Sequence, residues 1–181
     1  MESLMNTTHS ITIGSVTRAL PIREVAPGIS VALFNPLGDW ELTEAIGTEL
    51  AKLIPAGTEV LLMPDGKAQA LLHVMGRISK LPTIVARKEK KPYMAEPVLD
   101  VRVKSITTSR EQALYLGADD VARLVGKKVV VVDDVVSSGG TLLALEKLLA
   151  AAGAELTGVM AAFTEGEPKT NVITLGHLPL F

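Results

Sequence analysis

Lys127-Lys128-Val129-Val130-Val131-Val132-Asp133-Asp134-Val135-Val136-Ser137-Ser138-Gly139-Gly140-Thr141, continuing through Leu142 to Ala152, decides how the rest of the chain is read. Val129 to Val132 is an unbroken β-branched run with no polar alternation, the pattern of a strand buried on both faces of a parallel sheet. Asp133 and Asp134 are expected to end that strand, exposed at the edge where open α/β sheets bind ligands. Ser137 to Thr141 is a loop of hydroxyls and glycines opening a helix. Its glycines let backbone amides approach a ligand, and the helix N-terminus adds partial positive charge, so a phosphate fits there. The helix carries apolar positions at Leu142, Leu145, Leu148, Leu149 and Ala152, and Gly153 caps it.

Two carboxylates beside a phosphate cradle repel unless something lies between them. A sugar phosphate resolves this: the acids accept from ribose hydroxyls, directly or through Mg²⁺, while the loop holds the 5′-phosphate. The stretch has neither the G-K-[ST] ending of a Walker A loop nor the G-x-G-x-x-G of a dinucleotide site. A plain strand–turn–helix with an acidic turn is the bland alternative, but such turns rarely need both an acid pair and a Ser-Ser-Gly-Gly-Thr loop. The order of a hydrophobic strand, two acids, two apolar residues and a small-residue loop ending Gly-Gly-Thr resembles the phosphoribosyl-pyrophosphate motif of the type I phosphoribosyltransferases.

Composition frames this reading. At 181 residues the chain is expected to be one domain spanning 1–181. An apolar fraction of 48% and a charged fraction of 21% are those of a soluble globular protein. A net charge of −2 gives no global pull toward nucleic acid, and 3% aromatics offer no stacking platform for single strands. Having no cysteine, the chain has no disulfide or thiol chemistry, in keeping with a cytoplasmic location. Met1 to Ser10 is polar without a signal-peptide core, and no apolar run reaches membrane-spanning length.

In chain order, Ile11–Ile13, Ala19–Val25 and Ile29–Phe34 read as an antiparallel or irregular layer. Asp39 is the expected N-cap of a helix from Trp40 to Ile54, with Leu42, Ala45, Ile46, Leu50, Leu53 and Ile54 as its buried stripe and Trp40 as a packing residue. Glu59–Met63 is the first core strand, followed by Pro64-Asp65-Gly66-Lys67 and a helix from Ala68 to about Lys80. His73 reads as a partly buried histidine, far in sequence from His9 and His177, so no metal-ligand spacing arises. Pro82–Ala86 is the next strand, leading into Arg87-Lys88-Glu89-Lys90-Lys91. Val98–Val103 and Ala113–Leu116 are strands joined by a hydroxyl-rich connection, Asp119–Val125 a short helix, and Leu156–Phe163 and Val172–Leu175 the last strands.

The resemblance covers roughly residues 55 to 165. It implies an α/β fold: a parallel sheet of about five strands flanked by helices, with a small hood built from 1–38 and 166–181. It implies transfer of ribose 5-phosphate from phosphoribosyl pyrophosphate to a purine base, as in purine salvage. It assigns Asp65, Gly66, Lys67, Arg87 and Lys88 to the pyrophosphate, and Asp133 and Asp134 to the ribose and to Mg²⁺. Ser137, Ser138, Gly139, Gly140 and Thr141 hold the 5′-phosphate. Ser105, Thr107, Thr108 and Ser109 lie in a mobile loop that closes over the site, and Val135 and Phe163 flank the base. Hypoxanthine–guanine enzymes carry an acid where this chain has Ser137, so adenine-related members are the better match. However, where the adenine enzymes' mobile loop carries a glutamate, this chain has Ser109 or nearby residues instead. A regulator of this fold that only senses phosphoribosyl pyrophosphate is the alternative. The first 38 residues show no helix-turn-helix to support it, and no partner membrane or nucleic acid is expected. The apolar tail Leu178–Phe181 suggests a covered surface and, with the family's habit of pairing, a homodimer.

Overall fold

A computed structural model describes residues 7–104, 111–137, 139–167 and 171–181. The centre is a six-stranded sheet. Its strands are β4 (Val60–Pro64), β5 (Thr83–Ala86), β8 (Lys128–Val136), β9 (Glu155–Glu165), β10 (Ile173–Thr174) and β11 (His177–Leu178). They run in the order β10-β9-β8-β4-β5, with β11 also on β9, and every pairing is parallel. This is the expected parallel α/β core, with the last strand divided into two short ones.

Alternation along the strands splits the core into two layers. Leu61, Met63, Val130 and Val132 face one cluster, and Val60, Leu62, Val129 and Val131 face the other. Each of these side chains is at most 1% exposed, which is why the valine run carries no polar alternation. On the first face lie α1 (Trp40–Ala51), α2 (Gln69–Ser79) and an antiparallel sheet of β1 (Thr8–Ile13), β2 (Val16–Ala26) and β3 (Ile29–Ala32). On the second lie α3 (Ala118–Leu124), α4 (Gly140–Ala151) and a separate hairpin of β6 (Leu99–Lys104) and β7 (Glu111–Leu116). No helix among the described residues is long and apolar enough to cross a membrane.

Asp39 caps α1 by accepting from the Leu42 amide at 3.1 Å. Arg18 of β2 grips the same carboxylate through Nε at 2.7 Å and Nη2 at 3.0 Å, joining the antiparallel sheet to the helix start. That hydrogen-bonded guanidinium, with the Leu42 amide, holds the Asp39 carboxyl below its usual range. Helix α1 stops at Ala51, short of the expected Ile54, and leaves Leu53 44% exposed. Trp40 is 76% exposed at the helix start, not packed in the core, and His73 is exposed on α2, not partly buried.

α1 and α2 approach closely at Gly47, where an added Cβ would lie 2.5 Å from Val74 Cγ1 and 2.7 Å from Val74 Cβ. Alanine has the better helix propensity by about 1 kcal/mol, but Val74 Cβ cannot rotate away, and overpacking costs about 1–3 kcal/mol. Gly47→Ala is therefore expected to lower stability, read as a reduced thermal midpoint; an unchanged or raised midpoint would refute the close packing.

The C-terminal tail is docked within the chain. Leu178 is 1% exposed, Leu180 bridges Val31, and the Phe181 backbone exchanges two 2.8 Å hydrogen bonds with Ser30 of β3. The tail thereby links the antiparallel sheet to β9.

Candidate active site

The carboxyl ends of β4, β5 and β8 open on one side of the sheet. There the turn after β4, the first residues after β5 and the end of β8 with the start of α4 enclose a cavity of about 240 Å³. Asp65, Gly66 and Lys67 line it from the first segment, Lys88 from the second, and Asp133, Asp134, Val135 and Thr141 from the third. Residues spread over 77 positions of sequence (141 − 65 + 1) thus meet because parallel strands end together.

Asp133 and Asp134 do not end their strand. β8 continues to Val136, because its far half stays paired with the long β9, from Asp133↔Ala161 to Val136↔Thr164, after its pairing with β4 has ended at Leu62↔Val131. The acids are consequently partly buried rather than exposed. Each accepts from the next amide: Asp133 Oδ1 from Asp134 N at 2.9 Å, and Asp134 Oδ1 from Val135 N at 3.0 Å. Burial first, then the adjacent Asp134 charge, pushes the Asp133 carboxyl up to about 7. Asp134 Oδ2 is buried and accepts no hydrogen bond. Lys67 Nζ stands 3.2 Å from it, near enough for an ion pair but not aligned to donate. The same ammonium donates to the Phe34 carbonyl at 3.1 Å. Lys67 therefore ties the segment after β3 to the acid pair.

The basic run after β5 divides. Lys88 reaches the cavity and acts on Asp133 through space. Arg87 does not line it; Nη1 lies 3.5 Å from Asp65 Oδ2, and its backbone pairs with Tyr115. Asp65 in turn accepts from Gln69 Nε2. Lys90 and Lys91 are each 2.7 Å from a carboxylate, Glu96 and Glu89, on the solvent side.

α4 starts without a side-chain cap and without an acid in its first turn. Gly139 takes φ +77, the left-handed conformation that favours glycine, and a Cβ at Gly139 or Gly140 would meet nothing within 4 Å. A helix start whose amides lack a side-chain cap, beside open space, is what an anion requires. Ser137 is exposed beside them, and Ser138 lies outside the described residues. Ser105, Thr107, Thr108 and Ser109 also lie outside them. The hairpin strands that flank this segment pack Leu99, Val101 and Leu114 against α4.

One base-flanking expectation needs correction. Val135 is half-buried on the cavity wall, but Phe163 is 3% exposed and does not emerge at the sheet edge. The ring of Phe34 covers it edge-on at 5.0 Å and 74°. Phe34 and the second role of Lys67 escaped sequence reading, since no local pattern signals a contact across 129 residues (163 − 34). Among the described residues no group of three or more His, Cys, Asp or Glu side chains is placed to hold a metal. The two acids, one with an orphaned oxygen, instead suit Mg²⁺, which is commonly held by one or two carboxylates together with substrate phosphates.

The fold and this cleft define an α/β protein with a mixed-charge pocket at the carboxyl edge of a parallel sheet. Residues 73–173 match the model of the phosphoribosyl transferase domain, just over half the chain, and the chain belongs to that family. It is 28% identical over 137 residues to the hypoxanthine/guanine phosphoribosyltransferase of Methanococcus vannielii, covering 76% of this chain and 70% of that protein. It is 28% identical over 144 residues to the corresponding protein of Methanosarcina acetivorans, covering 80% and 72%. Among solved structures, adenine phosphoribosyltransferase from Thermoanaerobacter pseudethanolicus superposes with a TM-score of 0.67 at 17% identity, covering 97% of this chain and 98% of that one. The Trypanosoma brucei adenine enzyme, solved with AMP, pyrophosphate and ribose-5-phosphate, gives 0.60 at 18% identity, covering 76% and 64%. At these identities the structural likeness shows the fold alone.

Proposed function

We propose that the protein transfers the ribose 5-phosphate unit of phosphoribosyl pyrophosphate to a ring nitrogen of a purine, adenine preferred, in cytoplasmic purine salvage. The observation that carries this is the single cavity joining the Asp65–Lys67 turn, Lys88, the acid pair and the first turn of α4. The bond from the anomeric carbon to pyrophosphate breaks, a bond to the base nitrogen forms as that nitrogen gives up its proton to solvent or to the departing pyrophosphate, and pyrophosphate leaves. The anomeric carbon passes through an oxocarbenium-like state, so catalysis rests on alignment and on stabilising the leaving charge. Asp133 and Asp134 hold the ribose hydroxyls, and the uncapped amides of α4 with Thr141 hold the 5′-phosphate. The Gly66 amide, Lys67 and Lys88 meet the pyrophosphate, while Arg87 serves by positioning Asp65. Mg²⁺ bound at the acid pair would supply charge neutralisation for the pyrophosphate. The antiparallel sheet and the docked tail act as the hood of a single domain.

The curated relatives are named for hypoxanthine and guanine and the structural neighbours for adenine; both are purines. Ser137 offers no acid to a 6-oxopurine ring, which favours adenine. Pyrophosphate release, measured with Mg²⁺ and phosphoribosyl pyrophosphate across a panel of nucleobases, is expected to be fastest with adenine. Faster turnover with hypoxanthine, guanine or orotate would overturn the base assignment. Tight binding of phosphoribosyl pyrophosphate with no release for any base would make the protein a sensor instead.

A further inference from the structure

Among the described residues no hydrogen bond or ion pair holds the Glu165 carboxylate. It closes β9 at the ligand side of the sheet, and its backbone registers with Leu178, which is 1% exposed in the cluster beneath the antiparallel sheet. Phe163, two residues earlier, carries the ring of Phe34. Residues two apart in a strand share a face, so both neighbours put Glu165 on the hood side. Val135 of the cavity wall registers with Phe163, which sets Glu165 two residues further on, about 7 Å along the neighbouring strand.

The carboxylate is half-buried, yet among the described residues it makes no hydrogen bond and no ion pair. His177 and Lys67 act on it only through space, since His177 Nδ1 shares a 3.1 Å hydrogen bond with Thr164 and Lys67 is committed to Asp134 and the Phe34 carbonyl. Burial raises its pKa. A partly desolvated carboxylate without a partner keeps its acceptor capacity free for a ligand's donor at this edge of the sheet.

We propose that Glu165 is a specificity-determining residue for the base, accepting a hydrogen bond from the exocyclic amine of an amino-bearing purine. The assignment rests on the transferase reading above. Adenine presents an N–H donor at the 6-position. Hypoxanthine presents a carbonyl oxygen there, whose lone pairs face the carboxylate and repel it. The preference for adenine thus gains an attractive and a repulsive element from one side chain.

The test is steady-state kinetics of the wild type, Glu165→Ala and Glu165→Gln with adenine and with hypoxanthine as the varied substrate. Glu165→Ala should lose about 10- to 100-fold in kcat/KM for adenine, mostly through KM, the size expected for a hydrogen bond to a charged group. Hypoxanthine should lose nothing, so the ratio collapses, while KM for phosphoribosyl pyrophosphate stays constant. Glu165→Gln, which keeps an acceptor oxygen, should recover part of the adenine activity, and stands in for the alanine variant should that one fail to fold. Equal losses for both bases would expose a merely structural role and overturn the proposal, as would an unchanged KM for adenine. A wild type that releases pyrophosphate with no base refutes the transferase reading itself. An active wild type whose variants keep the same base ratio refutes only the assignment to Glu165.

Discussion

Replacing Asp133 and Asp134 together by Asn is expected to reduce pyrophosphate release about a thousand-fold or more, the scale of losing preorganised electrostatic groups at a reacting centre. Affinity for phosphoribosyl pyrophosphate with Mg²⁺ should fall as well, with the circular dichroism unchanged. The reason is that the pair brings the two carboxylates lining the cavity from β8, fixed by the amides of Asp134 and Val135. The neutral amides would keep the shape and remove the charge. Partial burial adds a stability signature. The Asp133 carboxyl is raised from 3.8 to about 7 in the fold. Between those values the native state binds more protons than the unfolded chain, so this group's contribution to stability is present at low pH and is lost as pH rises through about 7. Asp133→Asn removes the ionisation. Urea unfolding of this single variant should show a flatter dependence between pH 5 and pH 8, and at pH 8 greater stability than the parent. Unchanged binding of phosphoribosyl pyrophosphate by the double variant would sink the site, and a steeper pH slope in the single variant would sink the account of burial.

Phe34→Ala is expected to cost about 3–5 kcal/mol of stability, as large-to-small changes of buried aromatics do. Phe34 is 3% exposed and its ring stands edge-on to Phe163, a pairing that adds about 0.5–1.5 kcal/mol beyond burial. The cavity left would uncover Phe163, and the chain carrying the carbonyl that holds Lys67 would lose its anchor in the core. Phe34→Leu should recover a large share of the loss, because an apolar side chain would again fill the space. The denaturant midpoint checks the stability, and the KM for the base, rising more than that for phosphoribosyl pyrophosphate, checks the link to the hood. A loss under about 1 kcal/mol would show that the hood does not depend on this contact.

The readable features of the chain are those whose physics is local. The valine run needed no neighbour to declare itself a doubly buried strand, and both faces of β8 are packed. Asp39 is an N-cap because its own side chain reaches the Leu42 amide. The acid pair, the glycine loop and the uncapped start of α4 are contiguous, so their shared chemistry stood in one stretch.

Tertiary pairing decided the rest. How far β8 runs depends on β9, a partner that continues beside it through Thr164, and that extension buried two acids expected to be exposed. Phe163 was apolar and near the strand end, which suited an open base slot equally well; only the arrival of Phe34 from another layer placed it in the core. Trp40 had the composition of a core residue, yet its position at the first turn of α1 leaves it outside. Within the basic run, charge alone could not rank the side chains; Asp65, Glu89 and Glu96 did so by pairing with Arg87, Lys91 and Lys90 and leaving Lys88 on the cavity. By itself, then, the amino-acid sequence determined the strand, the acids, the loop and the family they belong to, because each rests on residues a few positions apart. Which side chains are covered and which cations are already engaged were decided only when distant strands came into register. Burial and ion pairing act between surfaces that adjoin in space and are separated along the chain.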